Sequence, residues 1–167
     1  MNIQHPMGSG ADSEGVRRVE AADVLDVRWQ ILRPGFPRES GIFDGDDAPD
    51  TRHFAAFHGG AIVGVASIYR ATMAERPNEP NAWQLRGMAT LPSVRGLGLG
   101  KALLVACTSA AREAGGQVLW CNARVNAADF YARAGWQIEG HEFDIPTVGP
   151  HFRMFIELRA APPGVGH

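Results

Sequence analysis

LRGMATLPSVRGLGLGKALL, residues 85–104, is the stretch on which the fold turns. An extended run over residues 83–90 stops at Pro92, because proline cannot continue a ladder of backbone hydrogen bonds. A glycine-dense turn follows, Arg95-Gly96-Leu97-Gly98-Leu99-Gly100-Lys101. Helical spacing then takes over across residues 99–114, with Leu99, Leu103, Ala106, Cys107, Ala110 and Ala114 on one stripe and Gly115-Gly116 as the stop. A strand feeding a helix through glycines is a phosphate cradle in chemical terms. The first helical N–H groups have no intrahelical partner and carry partial positive charge. Glycines let the backbone approach an anion closely, and Arg95 and Lys101 add charge to a pyrophosphate.

Three nucleotide motifs compete for this segment. A Walker loop needs Gly at 95 and Ser or Thr at 102, where the chain has Arg95 and Ala102. A Rossmann fingerprint is excluded as well, since the third glycine comes one residue early and residues 118–121 carry no acid. The pattern R-x-x-G-x-G fits, from Arg95 to Gly100. From the loop alone, a strand-to-helix turn without a ligand stays open.

Outward from this core, the remaining elements read as a single domain over residues 1–167, with residues 1–15 and 160–167 as loose termini. Strands are expected at residues 16–19, 52–57, 61–70, 83–90, 118–121, 136–143 and 152–158. His58-Gly59-Gly60 marks a hairpin. A first helix at residues 23–32 carries Val24, Val27 (or the stem of Arg28), Ile31 and Leu32 on one face and stops before Pro34. A shorter helix fits residues 126–134. Residues 34–50, rich in Gly, Pro and Asp, read as a long loop holding a short helix near residues 38–43; loops of this length are commonly functional. The fold class is α/β (or α+β), a mixed, mostly antiparallel sheet with helices on both faces.

Composition narrows the function. Hydrophobic residues make up 45% and charged residues 20% of the 167, as in soluble globular proteins. A net charge of −2 provides no basic field for nucleic acid. No apolar run reaches the roughly 20 residues of a membrane span, and residues 1–15 lack a signal-like apolar core, so a cytoplasmic protein is expected. Fifteen arginines against one lysine, Lys101, with abundant Ala and Gly, suit a GC-rich bacterial genome. Cys107 and Cys121 form no CxxC pair and read as buried thiols. Six histidines show no metal-ligand spacing, so no metal is expected.

Two segments together resemble the GNAT N-acetyltransferase superfamily. Residues 85–104 are similar to its acetyl-CoA-binding strand, R-x-x-G-x-G turn and helix. NAADFYARAGW, residues 126–136, resembles its next signature, with Asn126, Asp129, Phe130, Tyr131 and Gly135 in register, Ala128 one place from the usual Ala, and Trp136 where the family usually has Phe. The closing IPTVGPHFRM, residues 145–154, is similar to a bacterial subgroup with Pro-His before its last strand. This resemblance implies acetyl-CoA as cosubstrate. Its pyrophosphate would lie on the amides of Gly96, Leu97, Gly98, Leu99, Gly100 and Lys101, beside Arg95. Its pantetheine arm would run along Met88, Ala89 and Thr90, near Asn126, Phe130 and Tyr131, where the sheet splays beside residues 118–123. It also implies direct attack of a neutral amine on the thioester, with Tyr131 matching the tyrosine that protonates the leaving thiolate. An aromatic packed in the core is the plainer reading of Tyr131.

The acceptor side is the least specified. Glu142 and His151 are candidates to take the amine proton, histidine because as a residue type it titrates near neutrality. Adjacent strand residues face opposite ways, so His141 and Glu142 cannot both line a cleft unless a bulge intervenes. Arg28 and Arg33 are candidate ligands for an acceptor carboxylate, or simply cover the helix surface. A small-molecule amine is the expected acceptor. A protein N-terminus or lysine side chain, and a non-catalytic coenzyme A-sensing module, are the alternatives. Whether the chain is a monomer or a homodimer is left open.

Overall fold

The computed structural model describes residues 13–158. In chain order the elements are β1 (Gly15–Val19), α1 (Ala21–Leu32), a 3-10 turn (Arg38–Gly41), β2 (Arg52–His58), β3 (Ala61–Arg70), β4 (Ala82–Thr90), a 3-10 turn (Pro92–Val94), α2 (Leu99–Glu113), β5 (Val118–Arg124), a 3-10 turn (Val125–Ala127), α3 (Ala128–Arg133), β6 (Gln137–Ile145) and β7 (Gly149–Glu157). The seven strands lie in the order β1-β2-β3-β4-β5-β7-β6. β1 and β2, β5 and β7, and β6 and β7 pair antiparallel, whereas β4 and β5 run parallel. That is the mixed α/β sheet expected.

By internal packing the chain forms two compact units. One holds the described residues up to Ser67 together with Gly87–Cys107; the other holds Ile68–Arg86 and the described residues from Thr108 onward.

In the first unit, α1 begins where the Asp23 carboxylate accepts a 3.0 Å hydrogen bond from the Glu20 amide, which satisfies an N-terminal donor and complements the helix dipole. Val24 and Val27 turn into a core with Ala55, Phe57, Val65 and Ala89, and Ile31 and Leu32 pack on its margin. β2 and β3 are joined at Gly59 and Gly60, both at positive φ (59° and 82°), as a tight hairpin requires. The expectation of a loose N-terminus fails for residues 13–15. Gly15 belongs to β1, Glu14 accepts from the Gly59 amide at 2.8 Å, and the Gly60 amide donates to Ser13 O at 3.0 Å. The rest of both expected loose ends, residues 1–12 and 160–167, lies outside the described residues.

In the second unit, Met73, Ala82, Val118, Trp120 and Phe155 form a core. The Trp120 indole N–H donates to Ala71 O at 2.9 Å. This ties the β3–β4 connection onto β5. α2, which runs through both units, ends at Gly115 (φ 83°), with the Gly116 amide bonded to Ala111 O at 2.9 Å. That left-handed stop lets the chain turn into β5.

Candidate functional site

In the first unit the glycine turn leads from the 3-10 turn Pro92–Val94 into α2. Gly96 and Gly98 sit at φ 87° and 77°, and a Cβ at either would meet nothing within 4 Å. Their necessity is therefore conformational, because other side chains rarely adopt that region. The Ala102 amide donates to Gly98 O at 3.0 Å, so α2 proper starts there. The amides of Leu99, Gly100 and Lys101 then have no carbonyl four residues back within the helix. Arg95 and Lys101 are exposed beside them. Two amides of the turn are already used: Arg95 donates to Pro92 O and Leu97 to Val94 O, each at 3.3 Å. The donors that fit a pyrophosphate are those at the helix start, and Leu97 offers an exposed side chain instead. Ala89 is buried in the core, so what the strand of Met88, Ala89 and Thr90 has to offer an extended ligand there is backbone.

Arg28 is placed otherwise than expected. Rather than covering the helix surface, it is fully buried, and its Nη1 donates to Asp46 Oδ2 at 2.7 Å and to Gly41 O at 3.1 Å. Nη2 donates to Ser67 Oγ at 2.8 Å, and Ser67 in turn meets His53 Nδ1 at 2.6 Å. The guanidinium also lies 4.2 Å from the Phe43 ring centre. Its charge is matched from within, which removes it from recognition of an acceptor carboxylate and makes it the fastening of residues 41–46. Arg33 lies 5.3 Å from the same ring and donates to Leu32 O. Gly87, at φ 69° in β4, is a glycine partly because a Cβ there would come within 2.8 Å of Arg28 Nε.

In the second unit, α3 presents Tyr131 inward. The residue is buried, with ring neighbours Phe130 at 5.1 Å and Trp136 at 5.2 Å. Its hydroxyl hydrogen-bonds the Cys121 thiol of β5. Burial pushes that thiol far above the usual cysteine range, against smaller opposing effects of Arg153 and Tyr131. Burial alone raises Cys107 likewise. Both cysteines are free and buried, which makes them poor nucleophiles. Asn126 is exposed in the 3-10 turn ahead of α3.

His151 lies within β7, opposite Arg124, and not before the strand as the Pro-His resemblance implied. The strand begins earlier because Gly149, at φ 115°, turns the chain directly into pairing with Ile145. The ring is buried, stacks on Phe143 at 6.1 Å, and its Nδ1 lies 2.7 Å from Gly149 O. A carbonyl only accepts, so Nδ1 carries a proton, and in the neutral form of the ring the lone pair lies on Nε2. A bulge does intervene in β6: the register with β7 shifts between Glu139 and Phe143, and Gly140 sits at φ 74°. His141 and Glu142 are consequently both exposed.

Sequence reasoning passed over Asn122, Arg153 and Glu75. Asn122 and Arg153 are register partners on β5 and β7, and Arg153 Nε lies 3.3 Å from Glu75 Oε1. The visible signal was a polar residue interrupting each apolar run, Asn122 in VLWCNA and Arg153 in FRMFI.

Comparison with known proteins agrees with this architecture. The profile of the acetyltransferase (GNAT) family matches residues 21–136. YitI, an uncharacterized N-acetyltransferase of Bacillus subtilis (strain 168), is 34% identical over 148 residues, covering 87% of this chain and 97% of its own. An aminoglycoside 6′-N-acetyltransferase complexed with coenzyme A superposes with a TM-score of 0.69 at 13% identity, covering 88% of this chain and 98% of its own. The ribosomal-protein-S18-alanine N-acetyltransferase of Escherichia coli gives 0.69 at 16%, covering 91% and 98%. At such identities the two structures speak for the fold alone, while the profile and the sequence relative speak for descent. The chain belongs to the GNAT family of N-acetyltransferases, whose acyl donor is acetyl-CoA.

Proposed function

We propose that this enzyme moves the acetyl group of acetyl-CoA directly to the primary amine of a small molecule. The observation that carries the mechanism is the fixed tautomer of His151, whose Nδ1–H is held by Gly149 O. Nε2 accepts a proton from the attacking amine as the C–N bond forms. The C–S bond breaks, and Tyr131 donates its hydroxyl proton to the departing sulfur; the neutral thiol of Cys121 is a weak competitor for that proton. The amides of Leu99, Gly100 and Lys101, with the charges of Arg95 and Lys101, hold the pyrophosphate. Acetyl-CoA supplies the activated acyl group, and the protein supplies placement and proton transfer.

The choice of a small acceptor over a polypeptide rests on the sequence reading; within the first unit, residues 41–46 form a fastened loop. Arg28 holds Gly41 O and Asp46, and the Thr51 hydroxyl donates to Gly45 O at 2.6 Å. The solved relatives act, by their names, on an aminoglycoside in one case and a ribosomal protein in the other. The fold does not choose between them.

A pH–rate profile of acetyl transfer separates the two candidate bases. Loss of the acidic limb in His151→Gln, with that limb kept in Glu142→Gln, is the expected result. Retention of the limb in His151→Gln would dismiss His151 as base.

A further inference from the structure

The face of the β5–β7–β6 sheet that carries His151 also carries a second polar constellation, two residues further along β7. Arg153 and His151 share a face because strand residues alternate, and Asn122 stands opposite Arg153 on β5. The Arg153 guanidinium lies over two aromatic rings, 4.7 Å from the centre of Trp120 and 5.6 Å from that of Phe143. Trp120 is buried and tied to Ala71, and Phe143 stacks on His151, so both rings are fixed. Arg153 Nε and Asn122 Oδ1 are both buried, and neither has a hydrogen-bond partner among the described residues. Glu75 Oε1, 3.3 Å from Nε, forms an ion pair without hydrogen-bond geometry. Glu139, the register neighbour on β6, forms no ion pair with Arg153.

Buried polar atoms are almost always satisfied in folded proteins. An unmet donor beside an unmet acceptor calls for a ligand that carries both complements. A guanidinium held against aromatic rings keeps its planar fork pre-oriented, a form suited to bidentate binding of a carboxylate. The Asn122 oxygen asks for an N–H. We infer that Arg153 and Asn122 form the acceptor subsite, and that the acceptor is an amine bearing its own carboxylate close by, an amino acid in its simplest form. This rests on the acetyl-transfer reading above, and it places the acceptor nitrogen on the strand face that presents His151. Arg153 takes the role assigned from sequence to Arg28: its pairing with Glu75 is part-exposed and lacks hydrogen-bond geometry, whereas Arg28 is buried and hydrogen-bonded to Asp46 at 2.7 Å.

The test is calorimetric titration of the enzyme, saturated with coenzyme A, with the standard L-amino acids and with their carboxamides. Acetyl transfer to the same compounds is followed in parallel. At least one free acid should bind on the order of 10- to 100-fold more tightly than its amide, the range for a hydrogen-bonded charge pair. Arg153→Gln should abolish that difference while leaving the coenzyme A affinity unchanged, and Arg153→Lys should restore part of it. If Arg153→Gln does not fold, Asn122→Asp should reverse the preference toward the amide by repelling the carboxylate. Equal binding of acids and amides across the set, or an acid preference that survives Arg153→Gln, would overturn the inference. Binding without transfer of acetyl to any amine would count against the proposed reaction and leave the carboxylate subsite standing.

Discussion

Arg28 Nη1 and Asp46 Oδ2 meet at 2.7 Å with their side chains 1% and 7% exposed, so α1 and the loop after it are joined by an ion pair out of water. Removing one partner strands the other charge. Asp46→Ala should cost about 3–5 kcal/mol of unfolding free energy, read from a denaturant titration. Replacing both residues together with apolar ones of similar volume should cost much less. A loss under about 1 kcal/mol in the single variant, the scale of exposed pairs, would show that the pair is not dry.

The helix-start cradle predicts that Arg95→Ala weakens acetyl-CoA binding by about 1–3 kcal/mol, the scale for a hydrogen bond to a charged group. Gly98→Val should be worse, because it combines a strained φ of 77° with a branched side chain at the point of approach. Calorimetry settles both. Full affinity in Gly98→Val would remove the turn from the site.

Tyr131→Phe keeps the ring packed against Phe130 and Trp136 and deletes only the hydroxyl. Turnover should fall roughly 10²- to 10⁴-fold, the usual range for an acid–base group, while acetyl-CoA affinity holds. Unchanged turnover would mean that the thiolate leaves without protonation from this residue.

Burial raises the thiol pKa of Cys107 and of Cys121. In the unfolded chain a thiol loses its proton near pH 8.5, while the folded protein retains it well beyond that point. Stability is therefore whole below about pH 8.5 and falls as pH rises above it, by about 1.4 kcal/mol per unit for each thiol. Denaturant midpoints should be level up to that pH and then decline, and iodoacetamide at about pH 8 should label neither cysteine in the native state. Rapid labelling would show that one of them is accessible.

What could be read from the sequence was local. The turn at residues 95–101 was legible because glycine and a helix start are neighbours in the chain, and Gly115 and Pro34 mark helix ends by their own backbone limits. The short helix expected near residues 38–43 is the 3-10 turn Arg38–Gly41, whereas the early start of β7 depends on a few dihedrals that no periodicity reports. Arg28 was misplaced because its partners lie 13, 18 and 39 residues away in Gly41, Asp46 and Ser67. Arg153 was passed over for the same reason: Glu75, Trp120, Asn122 and Phe143 come to it from separate elements. Alternation along β7 put it on the same face as His151, a signal that the apolar neighbours Phe152 and Met154 obscured.

The most direct test of direct acetyl transfer is to follow product and enzyme together by mass spectrometry while coenzyme A thiol is released from acetyl-CoA in the presence of an amine panel. The mechanism predicts one acetylated amine for each thiol released, no acetyl group on the protein at any time, and loss of both signals in Gly98→Val. Thiol release without acetylated amine, or an acetylated side chain that forms and decays within turnover, would contradict it.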